Sequence, residues 1–120
     1  MTARDVLDPA VVESLRQLTP PGEPDVLQEV LTLFLNEVPK KIEALRAAAA
    51  AGDAMVAQRT AHSLKGSSGN IGARALHDVC RRLDDDAKNG DLSGVQTLLD
   101  QLNAEYEKVE KEIRRLLGRA

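Results

Sequence analysis

Apolar residues recur every three or four positions along most of this chain, which is the spacing of one face of an α-helix. The pattern is most regular near the C-terminus, where the intervals alternate between three and four residues. The apolar positions there are Leu92, Val95, Leu99, Leu102, Tyr106, Val109, Ile113 and Leu116. No segment favours a strand, so the pattern predicts an all-α fold.

N-cap residues and stop signals divide the pattern into five predicted helices. Asp8 and Pro9 predict the start of a short first helix, which ends at the sequence TPPGEP. The other four are predicted at about 25–51, 53–69, 73–89 and 92–117. Asp53 and Asp91 each follow a glycine, and we expect them to cap the third and the fifth helix.

One proline lies inside the second predicted helix. Pro39 has no N–H, so it leaves the carbonyl group of Leu35 without its usual partner. We therefore expect a bend at this point rather than the end of the helix.

The connections between the second and the fifth helix are short, so consecutive helices should pack antiparallel. Four long amphipathic helices joined in this way predict an up-and-down four-helix bundle. The short additional N-terminal helix would then cover one end of the bundle as a lid. A chain of 120 residues fits one domain, which we assign to residues 1–120.

Composition narrows the possible functions. Hydrophobic residues make up 42% of the chain and aromatic residues only 2%, so the core should be aliphatic. A net charge of −3 with scattered lysine and arginine predicts neither a nucleic acid nor a membrane as partner. The single cysteine, Cys80, allows no internal disulfide, and its apolar neighbours predict a core position. With no signal-peptide pattern in MTARDVLDPA, we expect a cytoplasmic protein.

The sequence AHSLKGSSGN, residues 61–70, stands out within the third predicted helix. On a helical wheel at about 100° per residue, the core-facing stripe contains Ala54, Ala57, Ala61, Leu64 and Ser68. His62 lies roughly 140° from the centre of that stripe, so its side chain should face solvent or a partner. An exposed histidine is usually an ordinary surface residue, and only its neighbours argue for a function.

Those neighbours suit a histidine that accepts a phosphoryl group. Neutral imidazole is a nucleophile, and Lys65 at i+3 can reach a phosphoryl group on the ring and offset its charge. Gly66 at i+4 leaves the imidazole accessible, although glycine inside a helix costs about 1 kcal/mol relative to alanine. Gly69 shares the exposed face, yet this chemistry does not require it.

The sequence AHSLKGSSGNIGA resembles the signature of histidine-containing phosphotransfer (HPt) domains, the relay modules of multistep two-component signalling. The resemblance extends to LDPAVVESLRQL, to LTLFLNEVPKKIEALRAAAAAGD with its internal proline, and to LHDVCRRLDDDAKNGD. It implies that the chain carries phosphoryl groups between the aspartates of receiver domains. These receivers belong to response regulators or hybrid sensor kinases, and the divalent metal ion would belong to them.

The resemblance also implies roles for individual residues. His62 matches the phosphoaccepting histidine, Lys65 the lysine that steadies the phosphoryl group, and Gly66 the glycine that leaves room for the receiver. Asp84 matches a position that faces the histidine and often carries a hydrogen-bonding residue, although aspartate is a short side chain there. Gly69 stands where alanine is common in the family.

The docking surface is expected to centre on the histidine. Its predicted partner-binding residues are Arg59, Ser63, Ser67 and Asn70, with an apolar extension that includes Val12 and Leu27. His77 is expected to be a surface or packing residue. The acidic run DDDAK should be a solvated face apart from Asp84.

The sequence contains no nucleotide-binding glycine-rich loop and no spacing typical of a metal site. We therefore expect no cofactor, no metal and no kinase activity, only a relay intermediate that acts as a monomer. The main alternative is an adaptor bundle that binds a signalling partner and is never phosphorylated. The phosphoacceptor hairpin of a histidine kinase fits less well, because the chain lacks the length and the hairpin pattern. Met1 and the capped first helix favour a free-standing module over a segment of a hybrid kinase.

Overall fold

The computed structural model describes residues 6–118, so the predicted 1–120 domain extends beyond the described residues at both ends. Five helices occupy this range: α1 (Pro9–Gln17), α2 (Val26–Ala50), α3 (Ala54–Asn70), α4 (Arg74–Lys88) and α5 (Val95–Leu116). No residue in 6–118 forms a strand. The prediction of an all-α four-helix bundle, here α2 to α5, with a short N-terminal helix is confirmed.

Three aspartates cap helices, Asp8 and Asp53 as predicted, each by accepting a hydrogen bond from a backbone N–H of the first turn. Asp8 accepts from Ala10 at 3.0 Å. Asp25 accepts from the second residue of α2 at 3.0 Å, and Asp53 from Val56 at 3.1 Å. The helix boundaries that depend on these residues therefore lie where the sequence placed them.

The predicted start of the last helix is wrong. α5 begins at Val95 rather than Leu92, and its N-cap residue is Gly94. The Asp91 carboxylate instead accepts hydrogen bonds from the N–H and the hydroxyl of Ser93, at 3.0 and 2.6 Å. Because Asp91 and Ser93 satisfy each other locally, they stabilise a turn before the helix and not the helix itself.

α2 continues through Pro39 as a single helix, so the missing N–H does not end it. The bend at this position remains a prediction. Beyond the proline, Ile42 and Leu45 still face the core, which shows that the apolar stripe keeps its register on both sides of Pro39.

The core is aliphatic, as the composition predicted. Its largest fully buried side chains include Leu31, Leu45, Leu64, Leu76, Leu102 and Ile113, which come from all four bundle helices. The two aromatic residues, Phe34 and Tyr106, stack on each other with ring centroids 6.3 Å apart. Cys80 is buried, and burial raises the pKa of its thiol to about 12, so it stays protonated as a core residue.

The start of α1 packs against the connection between α3 and α4. The Asp8 N–H donates to the carbonyl oxygen of Gly72 at 2.9 Å, and the Asp8 carboxylate pairs with Arg74. Gly72 has a φ of +74°, and a Cβ atom there would lie 2.9 Å from the Asp8 side chain. The close approach therefore requires glycine, and α1 covers this end of the bundle. Among the described residues, no helix is long and apolar enough to cross a bilayer.

Candidate functional site

α3 turns its apolar face toward the core, as the helical wheel predicted. Its buried residues are Ala57, Ala61, Leu64 and Ser68. The side chain of His62 is 65% exposed. The histidine is therefore presented to solvent by a helix whose opposite face is fixed in the core.

A carboxylate from α4 forms the centre of the site. The side chain of Asp84 is only 6% exposed. One of its oxygens, Oδ2, lies 3.0 Å from Nδ1 of His62 and 3.2 Å from Nζ of Lys65. The other oxygen, Oδ1, accepts a hydrogen bond from the Gln58 amide at 2.6 Å. Asp84 thus joins three side chains of α3 in one network.

The network keeps Asp84 ionised. Burial raises the pKa of its carboxyl group, but the hydrogen bonds from Gln58, His62 and Lys65 outweigh burial, and the net pKa is lower than usual. An ionised carboxylate only accepts hydrogen bonds, so Nδ1 of His62 must carry the proton. In the neutral form of this ring, the other nitrogen, Nε2, has the free lone pair and is the atom that can attack an electrophile.

The surroundings of the histidine suit a phosphoryl group. The Lys65 ammonium binds the same carboxylate oxygen as the imidazole, so a positive charge lies beside the ring. A Cβ atom built on Gly66 would meet nothing within 4 Å. This open space one turn beyond His62 leaves an approach to the ring. Within residues 6–118, no group of three or more His, Cys, Asp or Glu side chains is arranged to hold a metal ion.

The buried carboxylate should make stability depend on acid pH. Because the folded-state pKa of Asp84 is lowered, its contribution is fully present above the ordinary value of 3.8 and is lost as pH falls through the folded value. At pH 5, we expect Asp84→Asn to lower the free energy of unfolding by about 1–2 kcal/mol. Urea denaturation of the wild type and of Asp84→Asn should show the difference in their free energies of unfolding shrinking toward pH 2.

Asp85→Asn is the matched control, because Asp85 is the exposed neighbour of Asp84 on α4 and, within residues 6–118, pairs only with exposed Arg81. It should change stability by less than about 0.5 kcal/mol at pH 5. The charge network would be contradicted if the difference in free energy of unfolding between Asp84→Asn and the wild type stayed constant from pH 5 to pH 2.

Sequence reasoning underestimated Asp84 and missed the role of Gln58. A usable signal was present for the carboxylate, because Leu76, Cys80 and Asp84 recur every four residues on the buried stripe of α4. A buried acidic residue on such a stripe needs cationic or hydrogen-bonding partners, and a neighbouring helix of the bundle can supply them. Gln58 lies one turn before His62, on the opposite side from Lys65.

The four predicted partner-binding residues line two shallow grooves between α2 and α3. The first, which we call the apolar groove, is lined by Val30, Leu33, Phe34, Glu37, Val38, Lys41, Ser67, Asn70 and Ile71. The second, which we call the basic groove, is lined by Lys40, Lys41, Ala44, Arg59, Thr60 and Ser63. Lys41 belongs to both, so the grooves form one continuous surface between α2 and α3, and this surface includes Ser63, the chain neighbour of His62.

The predicted apolar extension of this surface is wrong for Leu27. Leu27 is only 3% exposed, because the first turn of α2 turns it into the core. Val12 is partly buried and packs against the same core. An exposed apolar side chain on this face is instead Leu33, which is 60% exposed and lines the apolar groove.

Known proteins resemble this chain in sequence and in fold. A family model described as the Hpt domain matches residues 29–112. Histidine-containing phosphotransfer proteins 5 and 2 of Arabidopsis thaliana are each 29% identical to this chain, over 87% and 82% of it. The matches span 68% and 65% of those two proteins, or about two thirds of their length. The crystal structure of histidine-containing phosphotransfer protein B from Pseudomonas aeruginosa PAO1 superposes with a TM-score of 0.88, at 31% identity and 96% coverage of both chains.

Proposed function

Because the chain belongs to the Hpt domain family, we propose that it relays phosphoryl groups between receiver-domain aspartates in a two-component phosphorelay, through a phosphohistidine at His62. The observation that carries this proposal is the hydrogen bond from Nδ1 of the exposed His62 ring to the buried Asp84 carboxylate. It leaves Nε2 as the free nucleophile on the surface of a rigid bundle.

The transfer step uses an aspartyl phosphate on a receiver as donor. The Nε2 lone pair attacks phosphorus in line, the bond from phosphorus to the aspartate oxygen breaks, and the aspartate carboxylate leaves. Because the ring still carries its Nδ1 proton, it gains a positive charge, which the Asp84 carboxylate faces at 3.0 Å. The Lys65 ammonium offsets the charge of the phosphoryl group. A second receiver aspartate takes the group away by the reverse step.

We assign receiver docking to the apolar and basic grooves. Leu33 offers an exposed apolar contact, and Lys40, Lys41 and Arg59 give the adjoining groove a positive charge. An aspartyl-phosphate site carries several negative charges, so this side of the histidine is complementary to it. Such contacts are transient, and a surface of modest area is sufficient.

The remaining parts of the proposal follow from composition and site chemistry. We propose a single-domain monomer that acts in the cytoplasm, binds neither nucleic acid nor membrane, and takes its phosphoryl group from other proteins rather than from ATP. The net charge of −3 supports the proposal that it binds neither nucleic acid nor membrane. The single buried cysteine supports the cytoplasm as its compartment.

Charge reversal in the basic groove should weaken receiver docking. Arg59 forms no ion pair within residues 6–118; its guanidinium donates a hydrogen bond to the Met55 sulfur at 3.3 Å. We expect Arg59→Glu to raise the receiver concentration at half-maximal transfer rate about fivefold at low salt, with the maximal rate unchanged. The effect should shrink as salt is raised. Arg114→Glu, the same change on α5, is the control, and an equal effect from it would argue against the groove.

The direct test of the function is to incubate the protein with a receiver carrying a radiolabelled aspartyl phosphate. We expect label on the protein that is labile in acid and stable in base, as a phosphohistidine requires. An adaptor bundle would bind the receiver without taking up label. That result, obtained with several cognate receivers, would overturn the relay function in favour of the adaptor.

A further inference from the structure

Gly69 and His77 fit together at the contact between α3 and α4. A Cβ atom built on Gly69 would lie 3.3 Å from Nδ1 of His77 and 3.6 Å from its Cε1 atom. The same construction on Gly66 meets nothing within 4 Å. The two glycines of α3 therefore serve different purposes, and the one at 69 leaves a notch that the imidazole of His77 occupies.

The imidazole in this notch also makes a specific hydrogen bond. Its Nδ1 atom lies 2.9 Å from the backbone carbonyl oxygen of Lys65. A carbonyl oxygen only accepts, so Nδ1 of His77 carries the proton and donates it. His77 thus binds the backbone of the residue whose side chain lies beside the phosphoaccepting histidine.

The turn after His62 is held by side-chain donors at three consecutive carbonyl groups. The Ser67 hydroxyl donates to the carbonyl of Ser63 at 3.1 Å, and the Ser68 hydroxyl to that of Leu64 at 2.8 Å. Both serines belong to α3 itself. The third donor, to the carbonyl of Lys65, is the only one that comes from another helix, so it fixes the turn relative to the rest of the bundle.

Lys65 is consequently held from α4 at both of its ends. Asp84 binds its ammonium group, and His77, two helical turns earlier on α4, binds its carbonyl oxygen. Gly66 and Gly69, which both follow Lys65, weaken this part of α3 as an isolated helix. External anchors are therefore needed to keep the lysine in place.

We propose that His77, seated against Gly69, is a positioning residue for phosphoryl transfer, which holds the Lys65 backbone so that the ammonium group stays beside His62. The inference rests on the proposed phosphotransfer function for its kinetic consequence. The packing and the hydrogen bond that it requires can be tested without any receiver.

The packing is tested by a double-mutant cycle in thermal unfolding. Gly66→Ala, the control, should raise the unfolding midpoint because alanine favours the helix and its methyl group meets nothing. Gly69→Ala should raise the midpoint less, or lower it, while His77 is present, and should give the full rise in a His77→Ala background. An equal effect of Gly69→Ala in both backgrounds would overturn the proposed fit.

The positioning role is tested by amide hydrogen exchange and transfer kinetics on His77→Leu and His77→Asn. His77→Leu should speed hydrogen exchange of amides 66–70 without affecting exchange in α5. The same variant should slow phosphoryl transfer about fivefold at saturating receiver, because it loses one hydrogen bond. The asparagine amide can donate from nearly the position of Nδ1, so His77→Asn should restore most of the rate.

Transfer at the wild-type rate by His77→Leu, unchanged exchange at 66–70, or no rescue by asparagine would each overturn the role. Failure of the wild-type protein to take up label is a different result. It would refute the proposed phosphotransfer, while exchange and the double-mutant cycle would still decide whether His77 anchors Lys65.

Discussion

A His62→Gln variant is expected to take up no phosphoryl group from a receiver carrying an aspartyl phosphate. Glutamine keeps a polar side chain that can still donate to Asp84, but its amide nitrogen has no available lone pair for attack on phosphorus. Because the His62 side chain is 65% exposed, the fold should be retained. Radiolabel transfer followed by electrophoresis under alkaline conditions measures the loss.

The chain offers a direct control because it contains only two histidines. The His77→Gln variant should still become labelled, although more slowly if His77 positions Lys65. Label that persists on His62→Gln at the wild-type level would show that another residue accepts the phosphoryl group. Circular dichroism and the unfolding midpoint should confirm that both variants are folded before the rates are compared.

An Asp84→Asn variant is expected to accept the phosphoryl group about tenfold more slowly at saturating receiver. Asparagine can still accept the Nδ1 proton of His62, but it cannot offset the positive charge that the ring gains as the bond from Nε2 to phosphorus forms. A hydrogen bond to a charged group contributes about 1.5 kcal/mol more than a neutral one, and that difference corresponds to about a tenfold change in rate.

Rapid-quench measurements over a range of receiver concentrations separate this effect from binding. Asp84 is buried behind the histidine and is only 6% exposed, so the receiver concentration at half-maximal rate should change little. Asp85→Asn should transfer at the wild-type rate, because the Asp85 carboxylate is exposed and pairs with exposed Arg81 at 3.2 Å. A normal maximal rate in Asp84→Asn, with weaker receiver binding, would place Asp84 at the docking surface instead.

The orientation of His62 was predictable because it depends only on the periodicity of one helix. Once Ala57, Ala61 and Leu64 are assigned to the core, the opposite face of α3 is fixed. The role of Asp84 was harder to predict, because its partners lie 19–26 positions away on another helix. Helix periodicity places Asp84 on the buried stripe of α4, but only the packing of α4 on α3 shows which residues it meets.

Gly69 and Asp91 are two further residues whose roles could not be predicted from the pattern of their own helix. Gly69 had no explanation from its own helix, because the side chain that needs the space belongs to His77 on α4. Asp91 follows a glycine exactly as Asp53 does, yet it binds Ser93 and leaves the cap of α5 to Gly94. Ser93 takes the Asp91 carboxylate that would otherwise cap α5, and this competition moves the start of the helix. The Gly-Asp pair used for the prediction is the same before α3 and before α5.

The identity of the attacking atom is the central claim, and nuclear magnetic resonance of the phosphorylated protein tests it most directly. The protein is labelled with ¹⁵N-histidine, phosphorylated by a receiver, and kept at alkaline pH while the ¹⁵N and ³¹P spectra are recorded. We predict coupling of phosphorus to Nε2 of His62, with Nδ1 still hydrogen-bonded to Asp84. Phosphorus bound to Nδ1 of His62, or to either nitrogen of His77, would contradict the account.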